Sequence, residues 1–321
     1  MRAAQIVRLD GPEAIEAREV PEPVADDRVV IDVHAAGVSY PEVLQTRGLY
    51  QYKPDPPFTP GSEVAGIVRS APADAGVTVG QRVAAFPGTG GFAEVVACDP
   101  RAVFPLPDRL SFVQGAALPM NALTVQFALT RRGRLRAGET VLVQGAAGGV
   151  GTAGVQLARA LGARVLAVVS TEAKGEAARA AGAHEVVLAE GFRDAVAELT
   201  GGRGVDVVLD PVGGDRFTDS LRSLAPEGRL LVVGFTGGEI PTVRVNRLLL
   251  NNIDVVGVGW GAFAFGRPGF AAEQWAALLP HLEAAELDPP VGSTYPLAEA
   301  AAAVAELDER RAVGKVVLTV R

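Results

Sequence analysis

The stretch that decides the fold is VLVQGAAGGVGTAGVQLARALGA, residues 141–163. A short apolar run leads into a turn with Gly145, Gly148 and Gly151, and an amphipathic segment follows directly. Glycines at this spacing let a phosphate approach the N–H groups at the start of a helix, where a side chain would block it. A second apolar run, RVLAVV (164–169), comes next. The order of strand, glycine turn, helix and strand predicts a dinucleotide-binding βαβ unit.

The same alternation of apolar runs and helical segments continues toward the C-terminus. The further runs are HEVVL (184–188), GVDVVLD (204–210), GRLLVVG (228–234) and IDVVGVG (253–259). Such alternation predicts a doubly wound parallel sheet with right-handed crossovers, that is, a Rossmann domain. Before residue 118, by contrast, short β-type runs are separated by Gly and Pro, which predicts a mostly β unit.

The chain ends on a helical segment and a final apolar run, KVVLTV (315–320). We expect this last strand to pair with the N-terminal β unit, so that the second domain is inserted into the first. The predicted β domain comprises residues 1–117 and 264–321, and the predicted cofactor domain comprises residues 118–263.

Composition excludes several classes of function. The net charge of the 321 residues is −7 and the pI is near 5.2, so no basic field is present to attract nucleic acid or an anionic membrane. Cys98 is the only cysteine, which excludes an internal disulfide and a four-cysteine zinc lobe. Because no stretch of eighteen apolar residues occurs, we expect a cytoplasmic protein without a membrane partner.

The end of the second strand of the βαβ unit predicts the choice of cofactor. An NAD enzyme usually carries an acid there, about 20 positions past the glycines, to bind the ribose hydroxyls. This chain has Ser170 and Thr171 at that place, Lys174 one helical turn further on, and Glu172 one or two positions too late. Hydroxyls and an ammonium suit a 2′-phosphate, so we expect NADPH to be preferred over NADH.

Nine segments in sequence order carry a family resemblance. They are AAGVSYPEVLQTRGLY (35–50), PFTPGSEVAGIV (57–68), GGFAEVVA (90–97), AALPMNALTV (116–125), GAAGGVG (145–151), DPVGG (210–214), GRLLVVGF (228–235), LLLNNIDVVGVGWG (248–261) and GKVVL (314–318). Together they resemble the zinc-free, ζ-crystallin-like quinone oxidoreductases of the medium-chain dehydrogenase/reductase superfamily. The resemblance implies a GroES-like β catalytic domain, a Rossmann domain and NADPH as hydride donor. It also implies homodimers formed partly through edge strands of the cofactor sheet.

Two serines bear on whether a metal takes part. In the zinc branch of the superfamily, a cysteine and a histidine hold the ion at the places that Ser39 and Ser62 take in this chain. Neither serine is a zinc ligand at neutral pH, and the three histidines are scattered at positions 34, 184 and 281. We therefore predict an enzyme without a metal, in which Glu63 is a structural carboxylate.

Without a Lewis acid, simple ketones and alcohols are poor substrates, whereas quinones and activated enones accept hydride readily. The predicted catalytic residues are Ser39, Tyr40, Tyr50 and Thr124. The predicted cofactor contacts are Thr124, Gly145, Ala147, Gly148, Gly149, Val150, Gly151, Ser170, Thr171, Lys174, Val212, Gly234, Phe235, Trp260 and Lys315.

The predicted function is NADPH-dependent reduction of a small quinone. Two alternatives stay open at the level of sequence. The first is a reductase of α,β-unsaturated carbonyls or enoyl-CoA thioesters, and the second is a catalytically idle NADPH-binding protein.

Overall fold

The computed structural model describes residues 1–321 and contains fifteen β-strands and eleven α-helices. The strands are β1 (Arg2–Ile6), β2 (Ile15–Glu19), β3 (Val29–Val38), β4 (Glu63–Ser70), β5 (Arg82–Ala85), β6 (Val95–Cys98), β7 (Val103–Pro105), β8 (Thr140–Val143), β9 (Arg164–Val169), β10 (Glu185–Leu188), β11 (Val205–Asp210), β12 (Leu224–Val232), β13 (Asp254–Gly257), β14 (Val291–Pro296) and β15 (Lys315–Thr319).

The α-helices are α1 (Tyr40–Gln45), α2 (Phe112–Ala116), α3 (Pro119–Gln126), α4 (Gly149–Ala160), α5 (Glu172–Ala180), α6 (Phe192–Leu199), α7 (Phe217–Arg222), α8 (Asn246–Asn251), α9 (Trp260–Ala264), α10 (Phe270–Glu283) and α11 (Ala300–Asp308). A π-helix, Phe127–Arg132, continues α3. None of the helices combines the length and the apolar composition that a membrane span requires.

The chain divides into two compact units. Unit 1 comprises residues 1–121, 267–283 and 289–321, and unit 2 comprises residues 122–266 and 284–288. In sequence, unit 2 thus interrupts unit 1. The domain bounds expected from the sequence, 1–117 with 264–321 and 118–263, stay predictions.

Unit 1 is built around a seven-stranded sheet in the order β14-β15-β3-β4-β5-β7, with β6 paired to the first half of β3. The final strand β15 pairs antiparallel with β3, which confirms the pairing expected for KVVLTV. One face of this sheet packs into an apolar core rich in valine and alanine from β3, β4 and β15. The register of β15 and β3 places Val316 opposite Val38, so Lys315 and Ser39 follow at neighbouring positions.

Unit 2 contains a six-stranded sheet in the order β10-β9-β8-β11-β12-β13, with every pair parallel. In chain order this is 3-2-1-4-5-6, the arrangement of a Rossmann domain. The predicted fold class is therefore confirmed. In such a sheet, ligands bind outside the carboxyl ends of the strands, where the strand order reverses, here between β8 and β11.

Candidate functional site

Five polar side chains form a buried cluster in unit 1, named here the Lys315 cluster. Its members are Ser39, Glu42, Ser62, Glu63 and Lys315, and each is at most 5% exposed. Ionisable side chains are almost never buried to this extent unless they are paired, because leaving water is costly for a charge. Each hydrogen bond within the cluster therefore matters for the stability of unit 1.

The sheet brings the cluster together. Glu63 is the first residue of β4 and lies opposite Gly37 of β3, two residues before Ser39. A Cβ atom on Gly37 would stand 2.7 Å from the Glu63 Cγ atom and 2.3 Å from the Ala116 carbonyl oxygen. Glycine at position 37 thus leaves the space in which the Glu63 side chain turns inward.

Glu42 joins the start of α1 to the segment before β4. One carboxylate oxygen accepts from the backbone N–H of Ser39 at 2.8 Å, and the other accepts from the N–H of Ser62 at 3.1 Å and from its hydroxyl at 2.9 Å. Ser39 precedes the helix and Glu42 is its third residue, the spacing of a capping box. Glu42 was not among the predicted site residues, although the pattern Ser-x-x-Glu at residues 39–42 is a sequence signal for it.

Glu63 is the centre of the second half of the cluster. Its Oε1 atom accepts from the Ser39 hydroxyl at 2.8 Å and forms an ion pair with the Lys315 ammonium. Its Oε2 atom accepts from the backbone N–H of Met120, in the first turn of α3, at 2.8 Å. The Lys315 ammonium also donates to the Ser39 hydroxyl oxygen. The prediction of a structural, hydrogen-bonded Glu63 agrees with this geometry.

The cluster contains two carboxyl groups and one ammonium. Burial raises the pKa of Glu42 to about 7, although the positive charge of Lys315 and the hydrogen bonds from Ser62 and Ser39 oppose the rise. Burial, and then the negative charge of Glu42, raise the pKa of the nearby Tyr50 phenol. Tyr50 is brought back toward α1 by a tight turn in which the N–H groups of Arg47 and Leu49 both donate to the Leu44 carbonyl.

The predicted catalytic residues fall into two places. Ser39, Tyr40 and Tyr50 belong to unit 1, whereas Thr124 belongs to unit 2. The Ser39 hydroxyl donates to Glu63 and accepts from Lys315, so its hydrogen is already engaged within the cluster. Tyr40 begins α1 and packs against the core of unit 1, while Tyr50 is half-buried. Among the three predicted catalytic residues of unit 1, Tyr50 is thus the one whose hydroxyl is suited to donate a hydrogen bond to a substrate.

The glycine turn of unit 2 has the geometry that a pyrophosphate requires. Gly145 follows β8 with a φ of 59°, and Gly148 precedes α4, whose N-terminus has no side-chain cap. A Cβ atom on Gly151 would lie 2.2 Å from the Gly145 carbonyl oxygen, so only glycine lets the turn pack on the helix. Uncapped N–H groups at a helix start bind anions well. The residues present therefore fit a dinucleotide.

The residues predicted to read the ribose lie at the carboxyl end of β9. Ser170 and Thr171 are exposed there, and the Thr171 hydroxyl accepts from the Lys174 N–H at 3.3 Å at the start of α5. Glu172 forms an ion pair with Arg179, in which the Arg179 guanidinium donates a hydrogen bond of 2.7 Å to the Glu172 carboxylate. The acid that could have favoured NADH is thus engaged along its own helix.

Other predicted cofactor residues follow the next strands of the same sheet. Val212 comes after β11, where its N–H donates to the buried Asp210 at 2.8 Å. Gly234 and Phe235 come after β12, in a loop whose Gly237 N–H donates to the Val212 carbonyl at 2.8 Å. The buried Trp260 begins α9 after β13. These side chains and loops share the carboxyl edge of the sheet, and their contacts with a cofactor stay predictions.

Lys315, expected from the sequence among the cofactor contacts, lies in unit 1. Its ammonium forms an ion pair with Glu63 and donates to the Ser39 hydroxyl, and its contact with the cofactor stays a prediction. The pairing could not be found from local sequence because residues 63 and 315 meet only through the sheet register.

The donor chemistry of the cluster does not fit zinc. Catalytic zinc takes three protein ligands from cysteine, histidine or carboxylate, and no group of three such side chains that could hold a metal ion is found. Ser39 and Ser62 supply hydroxyls only, and the adjacent Lys315 ammonium repels a divalent cation. His34 instead packs against Phe112, with the ring centroids 4.3 Å apart and the ring planes tilted by 30°.

Known proteins are similar to this chain over its whole length. Residues 25–108 match the alcohol dehydrogenase GroES-like domain, and residues 149–283 match the zinc-binding dehydrogenase family. Quinone oxidoreductase-like protein 2 of Bos taurus is 37% identical over 100% of this chain and 93% of that protein. The chain belongs to the quinone oxidoreductase-like proteins of the medium-chain dehydrogenase/reductase superfamily.

Solved structures of similar proteins agree with the observed fold. A probable oxidoreductase from Mycobacterium abscessus is 45% identical with a TM-score of 0.92, covering 100% of this chain and 99% of its own. The quinone oxidoreductase from Thermus thermophilus, also solved in complex with NADPH, is 39% identical with a TM-score of 0.86, and both chains are fully covered. The predicted family and the GroES-like and Rossmann domains are thus confirmed, and the chain is an oxidoreductase of this superfamily.

Proposed function

We propose that this oxidoreductase uses NADPH to reduce small quinones, without a metal ion. The observation that carries the proposal is the Lys315 cluster, which offers hydroxyls, carboxylates and an ammonium where zinc-binding dehydrogenases need metal ligands. A quinone needs no Lewis acid, because the charge that arrives with the hydride spreads over its ring to an oxygen. Support also comes from the relatives that are named quinone oxidoreductases.

The cofactor assignment rests on unit 2 and on the Thermus thermophilus relative, which was solved with NADPH. The N–H groups at the start of α4 would bind the pyrophosphate, and Ser170, Thr171 and Lys174 would bind the 2′-phosphate of the ribose. When bound, NADPH supplies the hydride. The residues of this chain orient the dinucleotide and hold the phosphate charges.

Tyr50 is the group that we assign to the developing negative charge on the substrate oxygen. A tyrosine phenol is protonated at neutral pH, and burial raises the pKa of Tyr50 further above that range, so Tyr50 is a hydrogen-bond donor. Half-burial limits competition from water, which strengthens a hydrogen bond to an anion.

Steady-state NADPH oxidation with a panel of quinones, enones and enoyl-CoA thioesters tests the function. We expect turnover with small ortho- or para-quinones and no useful oxidation of benzyl alcohol with NADP⁺. Preference for enones or thioesters would establish the first alternative, and NADPH binding without turnover on any of them would establish the idle protein.

Tyr50→Phe tests the assigned donor, and Tyr52→Phe is a matched control in the same segment, since Tyr52 is 55% exposed. Loss of a hydrogen bond to a charged oxygen should lower kcat about 10- to 100-fold in Tyr50→Phe only. Equal rates for both variants and the wild type would remove Tyr50 from the chemistry.

A further inference from the structure

Lys315 supplies the only positive charge in a cluster that contains two carboxyl groups. Its ammonium contacts residues at the ends of two different strands, the Glu63 carboxylate at the start of β4 and the Ser39 hydroxyl just after β3. A buried ammonium has lost its hydration, and only such partners compensate for that loss. The carboxylate depends on the ammonium in the same way.

Glu63 connects this ion pair to α3. Its second oxygen accepts from the Met120 N–H, one of the N–H groups at the helix start that have no partner within the helix. A negative charge at this end of a helix is also favourable because of the helix dipole. Thr124 lies four residues after Met120, one turn further along the same face of α3.

We propose that Lys315 is a positioning residue that supplies the positive charge of this cluster. Its ammonium holds Glu63 and Ser39 in place and so fixes the start of α3. Its charge, rather than its bulk, is the property required. The expected effect of Lys315 on catalysis, through the position of Thr124 on α3, rests on the proposed function. Its expected effect on the stability of unit 1 does not.

The geometry explains why a charge is needed. Without the ammonium, Glu63 would be an unpaired carboxylate with 0% exposure, and it would have to take up a proton or turn away. A protonated Glu63 is a weaker acceptor for the Ser39 hydroxyl and the Met120 N–H. The contacts on both sides of Glu63 would therefore loosen together.

Chemical rescue of Lys315→Ala tests the proposal. Alanine leaves a cavity where the end of the lysine side chain was, and n-propylammonium reproduces that missing end. The cavity should therefore bind this cation, whereas n-propanol should not replace it. We expect Lys315→Ala to unfold at a lower temperature than the wild type, without any cofactor present. Added n-propylammonium chloride should raise the transition again in a saturable way, and equal concentrations of n-propanol or potassium chloride should not. Lys53→Ala, which removes an exposed lysine, should show no rescue.

The same rescue should be visible in function. We expect Lys315→Ala to lose at least tenfold in kcat with NADPH and a quinone, and n-propylammonium to restore part of it. If no quinone is reduced by the wild type, the proposed function has failed, and the stability rescue still tests Lys315. Rescue by n-propanol as effective as by the ammonium would show that bulk alone matters and would overturn the proposal.

A second set of variants applies if Lys315→Ala does not fold. Lys315→Met keeps the volume without the charge, and Glu63→Gln removes the partner charge. We expect the double variant to be more stable than Lys315→Met alone, because it no longer buries an unpaired carboxylate. Strictly additive losses in the double variant would contradict an ion pair with this role.

Discussion

Glu42 accepts hydrogen bonds from both donors of Ser62, the backbone N–H and the hydroxyl, and both residues are buried. Through these bonds the start of α1 is tied to the segment that enters β4. The same carboxyl group lies in the electrostatic field of Lys315, which favours its ionised form, and of Glu63, which disfavours it. Its protonation therefore changes the charge balance of the whole cluster.

The first prediction concerns stability against pH. Burial raises the pKa of Glu42 from 4.5 to about 7, so between these values the folded protein binds more protons than the unfolded chain. The stabilisation that Glu42 contributes through this difference is fully present below pH 4.5. It is lost as the pH rises through 7, which lowers the free energy of unfolding by an amount on the order of 3 kcal/mol. Urea unfolding of the wild type should thus show a free energy of unfolding that falls over this range.

Glu42→Gln isolates that contribution, because glutamine cannot ionise. We expect the fall in stability from pH 5 to pH 8 to be clearly smaller in this variant than in the wild type. Glu176→Gln, which removes an exposed carboxylate on α5, should leave the wild-type dependence in place. Parallel curves for the wild type and Glu42→Gln would show that Glu42 does not titrate in this range.

The second prediction concerns the choice of cofactor. A charge-assisted hydrogen bond contributes about 1.5 to 3 kcal/mol, so Lys174→Ala should lower kcat/KM for NADPH about 10- to 100-fold. NADH lacks the 2′-phosphate and should be little affected, since Glu172 is engaged with Arg179. Measuring both cofactors on the wild type, Lys174→Ala and Lys53→Ala checks this. Equal losses for NADPH and NADH would show that Lys174 does not read the phosphate.

Local signals were enough to predict the fold. The glycine turn after β8 and the spacing of the apolar runs are properties of neighbouring residues, and they indicated the Rossmann sheet of unit 2 correctly. The pairing of the last strand with the N-terminal β unit was also predicted, and β15 pairs with β3 of that unit. Local sequence does not mark the border of the two units, because α3 runs across it without a break from residue 119 to residue 126.

The Lys315 cluster shows what local signals omit. Glu63 and Lys315 are 252 positions apart, and Glu42 and Ser62 are 20 apart. Their contacts depend on strand register and on the space that Gly37 leaves. No single segment of the sequence determines either of these. The two serines could be recognised as unsuitable for a metal, but the groups that engage them could not.

The third prediction concerns metal. Because the cluster offers hydroxyls beside an ammonium, we expect the purified protein to contain no stoichiometric zinc and to keep its activity after treatment with a chelator. Elemental analysis after dialysis and NADPH oxidation before and after chelation check this. About one zinc per chain, or loss of activity that added zinc restores, would contradict it.

The edge of the sheet in unit 2 carries the last prediction. Strand β13 pairs only with β12, so its other side is an open edge. Just before it, on or beside α8, Val245, Leu249 and Leu250 are each about 75% exposed. An open edge next to exposed apolar side chains invites aggregation unless a partner covers it, and a second copy related by a two-fold axis covers both edges at once.

We therefore predict a homodimer that forms through β13 and α8. Light scattering at micromolar concentration should give twice the 33.2 kDa mass of the chain. Replacing Leu249 and Leu250 together by arginine places like charges on both sides of the contact and should shift the protein toward the monomer. Val79→Arg, at an exposed position of unit 1, tests whether any new surface charge has this effect, and it should leave the dimer intact. A wild-type monomer, or an arginine double variant that stays fully dimeric, would mean that this edge is not the interface.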